Sequence, residues 1–227
     1  PYIKEFIEER DLHVYFALDL SGSSSFGNNI SKRKKALEIV ASLMFAAMKN
    51  NDNVGLFLFT DTIEQFIPAR KGRKHVLKAI STLVRFQPES TTTDLRGSLS
   101  YISKVIKKRS IVFVISDFFD TDFVQPLKLL KNKHDVIALR IIDQRELEIP
   151  DIGLIELEDG ETGEQILVDT SDELFRKNYV QQIQKHEQDL LHQLRKIKID
   201  MVRILTDEPF EIPLKKFFKL RLQRVMR

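Results

Sequence analysis

The 227 residues, 42% hydrophobic and 30% charged, are long enough to bury a substantial core and too polar for a chain that lives mostly in a bilayer. With 36 basic against 33 acidic residues the net charge is only +3, so the pI near 9.0 reflects a near balance tipped by a few lysines and no nucleic-acid signature stands out. The absence of cysteine excludes disulfides, thiol catalysis and cysteine-held zinc or iron–sulfur sites, and it fits a reducing compartment. No apolar run approaches the ~20 residues that span a bilayer, and the start Pro1-Tyr2-Ile3-Lys4-Glu5 lacks a basic-then-apolar signal, so a cytoplasmic protein without a transmembrane segment is expected. A start on Pro rather than Met leads us to expect a piece of a longer chain.

In chain order, residues 12–18 form a β-branched and aromatic run that stops at Asp19 and a Ser/Gly cluster, which reads as a buried strand entering a loop. Ser31 is placed to cap a helix whose apolar positions Ala36, Leu37, Val40, Ala41, Leu43, Met44 and Ala47 recur at helical spacing up to Asn50-Asn51. Strands at 54–60 and 64–68 flank Asp61-Thr62, and residues 73–86 follow as a helix with Val76, Leu77, Ile80, Leu83 and Val84 on one face. Thr93-Asp94 caps a third helix, and 110–116 is an apolar strand stopping at Asp117. A helix near 122–132, a strand at 135–142, a hairpin within 152–168, a long helix near 171–198, a strand at 199–205 and a basic terminal helix over 210–227 complete the pattern.

Strands separated by helices of a dozen residues imply right-handed crossovers and a parallel sheet covered on both faces. The predicted class is α/β: a three-layer, doubly wound, mostly parallel sheet with one antiparallel edge strand. One domain over 1–227 is expected, with the 152–168 hairpin as an insertion.

In open α/β sheets ligands gather at the carboxyl ends of the strands. Three such places are oxygen-rich: Asp19-Leu20-Ser21-Gly22-Ser23, Ser90-Thr91-Thr92-Thr93-Asp94, and Asp117. Alternate residues of an extended loop point the same way and Gly22 permits a tight turn, so Asp19, Ser21 and Ser23 can face one point. Carboxylates and hydroxyls are hard ligands that suit Mg2+, with Mn2+ or Ca2+ as alternatives, and two carboxylates about cancel the ion's charge. Such a site is suited to accept a partner's carboxylate, which is chemistry for docking rather than turnover. Taken singly, each feature has a plain structural reading: Asx-type loop bonds at Asp19-x-Ser21-x-Ser23, an N-cap at Thr93, a helix cap at Asp117.

Together they resemble the metal-ion-dependent adhesion site of von Willebrand factor A-type domains, a Rossmann-type topology. Asp19, Ser21 and Ser23 match its first loop, Thr93 its second, with Thr92 as the alternative, and Asp117 its third. More specifically, the chain resembles the bacterial family called domain of unknown function fifty-eight. The matching stretches are Tyr2-Ile3-Lys4-Glu5-Phe6 to Glu8-Glu9-Arg10, Lys71-Gly72-Arg73-Lys74-His75-Val76-Leu77, Thr93-Asp94-Leu95 and Ile115-Ser116-Asp117-Phe118. Asp159-Gly160-Glu161-Thr162-Gly163-Glu164 and Pro213-Leu214 to Phe217-Phe218 with Arg221 continue the match to the end of the chain. Ser90-Thr91-Thr92 departs from it, since a Gly-Gly pair usually precedes the threonine. The resemblance implies a further N-terminal part before Tyr2, and a non-enzymatic interaction module that serves as adaptor for a MoxR-type AAA+ ATPase in client assembly or remodelling.

No phosphate-binding G-x-x-x-x-G-K-[ST], dinucleotide G-x-G-x-x-G or nucleophile elbow G-x-S-x-G is present, so nucleotide-driven work must come from a partner. The five histidines show no metal spacing. Asp19, Asp117 and Asp120 leave a metal-assisted phosphoester hydrolase as an alternative, against which Ser21 occupies the place where an aspartyl phosphatase wants its second carboxylate. Phe118-Phe119 reads equally as core or as an apolar rim of the site. The terminal helix carries Lys215, Lys216, Lys219, Arg221, Arg224 and Arg227 beside Leu214, Phe217, Phe218, Leu222 and Val225. Its predicted role is to pack the apolar stripe on the sheet, with a nucleic-acid or membrane-surface binder as the alternative.

Overall fold

The computed structural model describes residues 11–22, 32–120, 122–158 and 163–225. The first half alternates β1 (His13–Asp19), α1 (Lys32–Lys49), β2 (Asn53–Phe59), β3 (Ile63–Arg70), α2 (Arg73–Arg85), α3 (Leu95–Val105) and β4 (Ile111–Ile115). The second half runs α4 (Val124–Lys133), β5 (Asp135–Ile142), α5 (Gln144–Leu147), β6 (Leu154–Glu158), β7 (Gln165–Asp169), α6 (Glu173–Lys196), β8 (Asp200–Leu205) and α7 (Glu211–Val225). Six strands make one sheet in the order β3-β2-β1-β4-β5-β8; β3 is antiparallel to β2 and the other pairings are parallel. The predicted α/β class, with its single antiparallel edge, is the observed one. Strands β6 and β7 pair with each other apart from this sheet.

Both faces of the parallel strands are buried, which is why they read as near-continuous apolar runs. Val14, Phe16 and Leu18 of β1 point to one layer, with Ile39, Val40 and Met44 of α1, Val76, Ala79 and Leu83 of α2 and Leu214 of α7. Tyr15 and Ala17 point to the other, with Leu95, Leu99 and Ile102 of α3, Leu127 and Leu130 of α4 and Leu190 and Leu194 of α6. Each fully buried aromatic side chain, such as Phe16, Phe57 or Phe59, contributes roughly 2–3 kcal/mol of transfer free energy.

Local chemistry sets the helix ends. Asn51, at φ +61°, closes α1 in the left-handed conformation that asparagine tolerates. The Asp94 carboxylate, not Thr93, accepts the Gly97 N–H at 2.8 Å and caps α3. Asp172 accepts from Leu174 and Phe175 N–H and starts α6.

Three expectations are corrected. Helix α5 has four residues and no periodicity, and the sequence reading does not contain it. Helix α4 starts at Val124 rather than near 122, and it has no side-chain cap. On α7 the inward positions are Leu214, Phe217 and Arg221; Leu222 is 64% exposed, and the buried-side place goes to a guanidinium that pairs with Asp135 at 2.6 Å and Asp200 at 3.4 Å. Ser31 and the hairpin turn around Asp159-Gly160 lie outside the described residues, as does the match before Leu12. Among the described residues no helix is long and apolar enough to cross a membrane.

Candidate metal centre

The chain goes from β1 to β2 on one side and later places β4 on the other side of β1, so the strand order reverses between β1 and β4. A crevice opens at such a switch point, outside the carboxyl ends of the two strands. The register pairs Leu18 with Ile115, so the next residues, Asp19 and Ser116, stand side by side. The Ser116 hydroxyl donates to Asp19 Oδ2 at 2.8 Å, and the Ser21 N–H donates to Oδ1 at 3.1 Å. Ser116 Oγ in turn accepts the Phe118 N–H at 3.2 Å. One hydroxyl thus fixes both the first carboxylate and the backbone that carries the second, Asp117.

Asp19, Ser21, Ser116, Asp117 and Lys32 supply the polar walls of a cleft of about 30 Å³, with Leu18, Ala36, Ile115 and Ile141 as its apolar walls. That volume suits one small ion or a water or two. Asp19 is buried, and its carboxyl is pushed up to about 6, first by burial and then by the neighbouring Asp117 carboxylate, against the pull of the Ser21 and Ser116 hydrogen bonds. Two negative charges face this small cavity, with the Lys32 ammonium 3.8 Å from Asp117 Oδ2 as partial compensation, and a divalent cation would relieve the remainder. The donor set is hard oxygen throughout, so the residues present fit Mg2+. Among the described residues no three His, Cys, Asp or Glu side chains cluster to hold an ion by themselves, so hydroxyls would have to take part.

The structure brings Asp19, Ser21 and Asp117 together. Thr93 is half-buried on the adjacent loop and does not wall the cleft; Thr92 is exposed, its hydroxyl 3.0 Å from that of Ser90. Ser23 lies outside the described residues. The three loops are nonetheless stitched together. Gly22 N–H donates to the Thr91 carbonyl at 2.7 Å, and Asp94 N–H to the Thr60 carbonyl at 3.2 Å. Glu64 accepts the Glu89 N–H at 2.9 Å and the Ser90 N–H at 3.4 Å. Asp120 accepts the Leu95 N–H at 2.8 Å, so it serves the start of α3 rather than a carboxylate trio with Asp19 and Asp117.

Phe118 and Phe119 divide the two roles the sequence left open. Phe118 is buried, at φ +59°, a strained conformation for an aromatic residue directly after Asp117. Phe119 is 46% exposed beside the site and stacks on His186 at 4.4 Å, with the buried Arg140 guanidinium 5.4 Å from its ring. Sequence reasoning missed Ser116, Glu64, Lys32 and Glu146, whose carboxylate lies 2.8 Å from the Lys32 ammonium. Ser116 had a signal, a hydroxyl one place before a strand-end carboxylate; Glu64 and Glu146 had none.

A family model described as Protein of unknown function DUF58 matches residues 1–189. The uncharacterized protein Rv1480 of Mycobacterium tuberculosis is 25% identical over 227 residues, covering 97% of this chain and 71% of its own. The uncharacterized protein MAV169 of Mycobacterium avium is 28% identical over 161 residues, 68% of this chain and 93% of its own. The conserved hypothetical protein BatB from Bacteroides thetaiotaomicron, a crystal structure, superposes with a TM-score of 0.58 over 94% of this chain and 98% of that one. At 17% sequence identity this likeness shows a shared fold.

Proposed function

We propose that this chain, which belongs to the family described as Protein of unknown function DUF58, is a non-enzymatic interaction module that holds a divalent cation at the ends of β1 and β4 and docks a partner protein's carboxylate there. The observation that carries this reading is the pair Asp19 and Asp117, drawn from strands far apart in sequence into one ion-sized cleft beside hydroxyls, with Asp19 buried and undercompensated. Bound Mg2+ would supply an electrophilic coordination position that an incoming carboxylate can fill. The chain's own residues do the rest. Asp19 and Asp117 provide the charge, the Ser21 side chain provides neutral oxygen, Ser116 orients Asp19, and Thr93 and Ser23 stand as the remaining ligands of an adhesion-site arrangement of the von Willebrand factor A type. Gly22, Glu64 and Asp120 tie the described parts of the three loops to one another.

The resemblance supplies the setting: a cytoplasmic adaptor for a MoxR-type AAA+ ATPase, which provides the energy that a chain without a phosphate-binding loop does not. Calorimetric titration of Mg2+ into the chelator-stripped full chain tests the first step. Saturable binding that Asp19→Ala and Asp117→Asn both abolish, with the circular dichroism spectrum retained, is the expected result. Absence of binding to the unsubstituted chain, or binding indifferent to both substitutions, overturns the reading. Capture of a MoxR-type ATPase that survives excess chelator would overturn the metal-bridged docking step.

A further inference from the structure

We infer that Lys32 is a built-in cation of this cleft, and that it sets the cleft's affinity for a divalent ion by sharing Asp117 with that ion. The inference rests on the metal reading above and adds a residue to it. Lys32 opens α1, and its side chain is 6% exposed. Its ammonium lies 2.8 Å from Glu146 Oε1 and 3.8 Å from Asp117 Oδ2, and it walls the same cleft as Asp19.

Among the described residues, nothing in the first turn of α1 favours an ammonium there. The first turn of α1 contains no acid, and a lysine at a helix N-terminus opposes the positive end of the helix dipole. Burial adds a desolvation cost that only well-placed carboxylates offset. The side chain is therefore held by Glu146 and Asp117. Glu146 is itself buried enough that its carboxyl rises above the usual range despite the lysine beside it.

The charge count explains what this arrangement achieves. Asp19 and Asp117 bring two negative charges to the walls of the cleft, and the Lys32 ammonium, shared between Asp117 and Glu146, offsets only part of them, a deficit that a divalent ion relieves. Removing the ammonium would deepen the deficit and strengthen the pull on any cation. Removing Glu146 would free the ammonium to move wholly onto Asp117, where it competes with the ion directly. The two substitutions thus act in opposite directions, which simple loss of structure does not produce.

Calorimetric titration of Mg2+ into stripped variants of the 227-residue chain, with the Mg2+-induced shift in Tm as a second readout, tests this. Lys32→Met is expected to tighten binding by at least about tenfold and Glu146→Gln to weaken it by about threefold or more. The double variant should return to the affinity of Lys32→Met alone, because Glu146 acts through the lysine. Lys35→Met is the control, since Lys35 is another buried lysine of α1 but sits 5.7 Å over the Phe210 ring and does not wall the cleft; its affinity should stay unchanged. Should Lys32→Met fail to fold, Lys32→Gln replaces it. Wild-type binding with Lys32→Met within twofold of it, or weaker, overturns the inference and leaves the metal reading standing. Binding by Lys32→Met where the wild type shows none supports the inference. Silence from both overturns the metal reading and the inference together.

Discussion

Asp19 keeps its charge at a cost. Its carboxyl titrates in the fold at about 6 against 3.8 when unperturbed, so between those values the folded state holds a proton that the unfolded chain has released. Stability therefore falls as pH rises through that window and stays lower above it, by at most on the order of 3 kcal/mol. Asp19→Asn should accordingly raise the Tm of chelated protein near pH 7.5 and leave it almost unchanged near pH 3.5, as thermal melts at the two values would show; a gain independent of pH would contradict the assignment. The same substitution should abolish the Mg2+ response, the expected exchange of stability for function. Asp19 and Asp117 were legible because strand-end carboxylates need only the apolar pattern to be seen. Lys32 was not, because Lys32-Arg33-Lys34-Lys35 reads as a solvated helix face until the fold brings Glu146, 114 positions later, against it.

At the scale of elements, close packing explains what periodicity leaves open. Gly55 of β2 lies opposite Tyr15 of β1, and a Cβ there would meet the ring at 2.4 Å and the Ala69 nitrogen at 3.0 Å. Gly55→Ala is expected to cost roughly 1–3 kcal/mol in chemical denaturation, and less in a Tyr15→Leu background, since the two changes share one volume. Helix α7 makes the complementary point. Its helical spacing was evident, but which stripe turns inward was decided by Asp135 and Asp200, whose carboxylates draw in Arg221 and leave Leu222 outside. Arg221→Ala should cost about 1–2 kcal/mol, read from the shift in denaturant midpoint. Helix α5 escaped the sequence because four residues carry no period, yet they bring Glu146 to the cleft.

For the whole molecule, the alternation of apolar runs and helices was enough to reach the sheet class, its layers and its antiparallel edge. Strand order was not read, because periodicity says which residues are buried and nothing about which strand lies beside which. That order matters most here, since it places the switch point between β1 and β4 and so makes the cleft. A ligand of the folded state alone stabilises it by about 2.7 kcal/mol at a hundredfold excess over Kd. Saturating Mg2+ should therefore raise the Tm of the whole chain by several degrees, EDTA should reverse the shift, and Asp117→Ala should show none.

The bond from Ser116 to Asp19 joins residues 97 positions apart. During synthesis the first carboxylate leaves the ribosome several seconds before the strand that completes its surroundings, at ~5–20 residues per second. Until β4 slots in beside β1, an emerging chain presents only an isolated acidic loop. Cation capture would then be a late event in biogenesis, and in refolding experiments it should return in step with the slowest-forming long-range pairing rather than with early helix content.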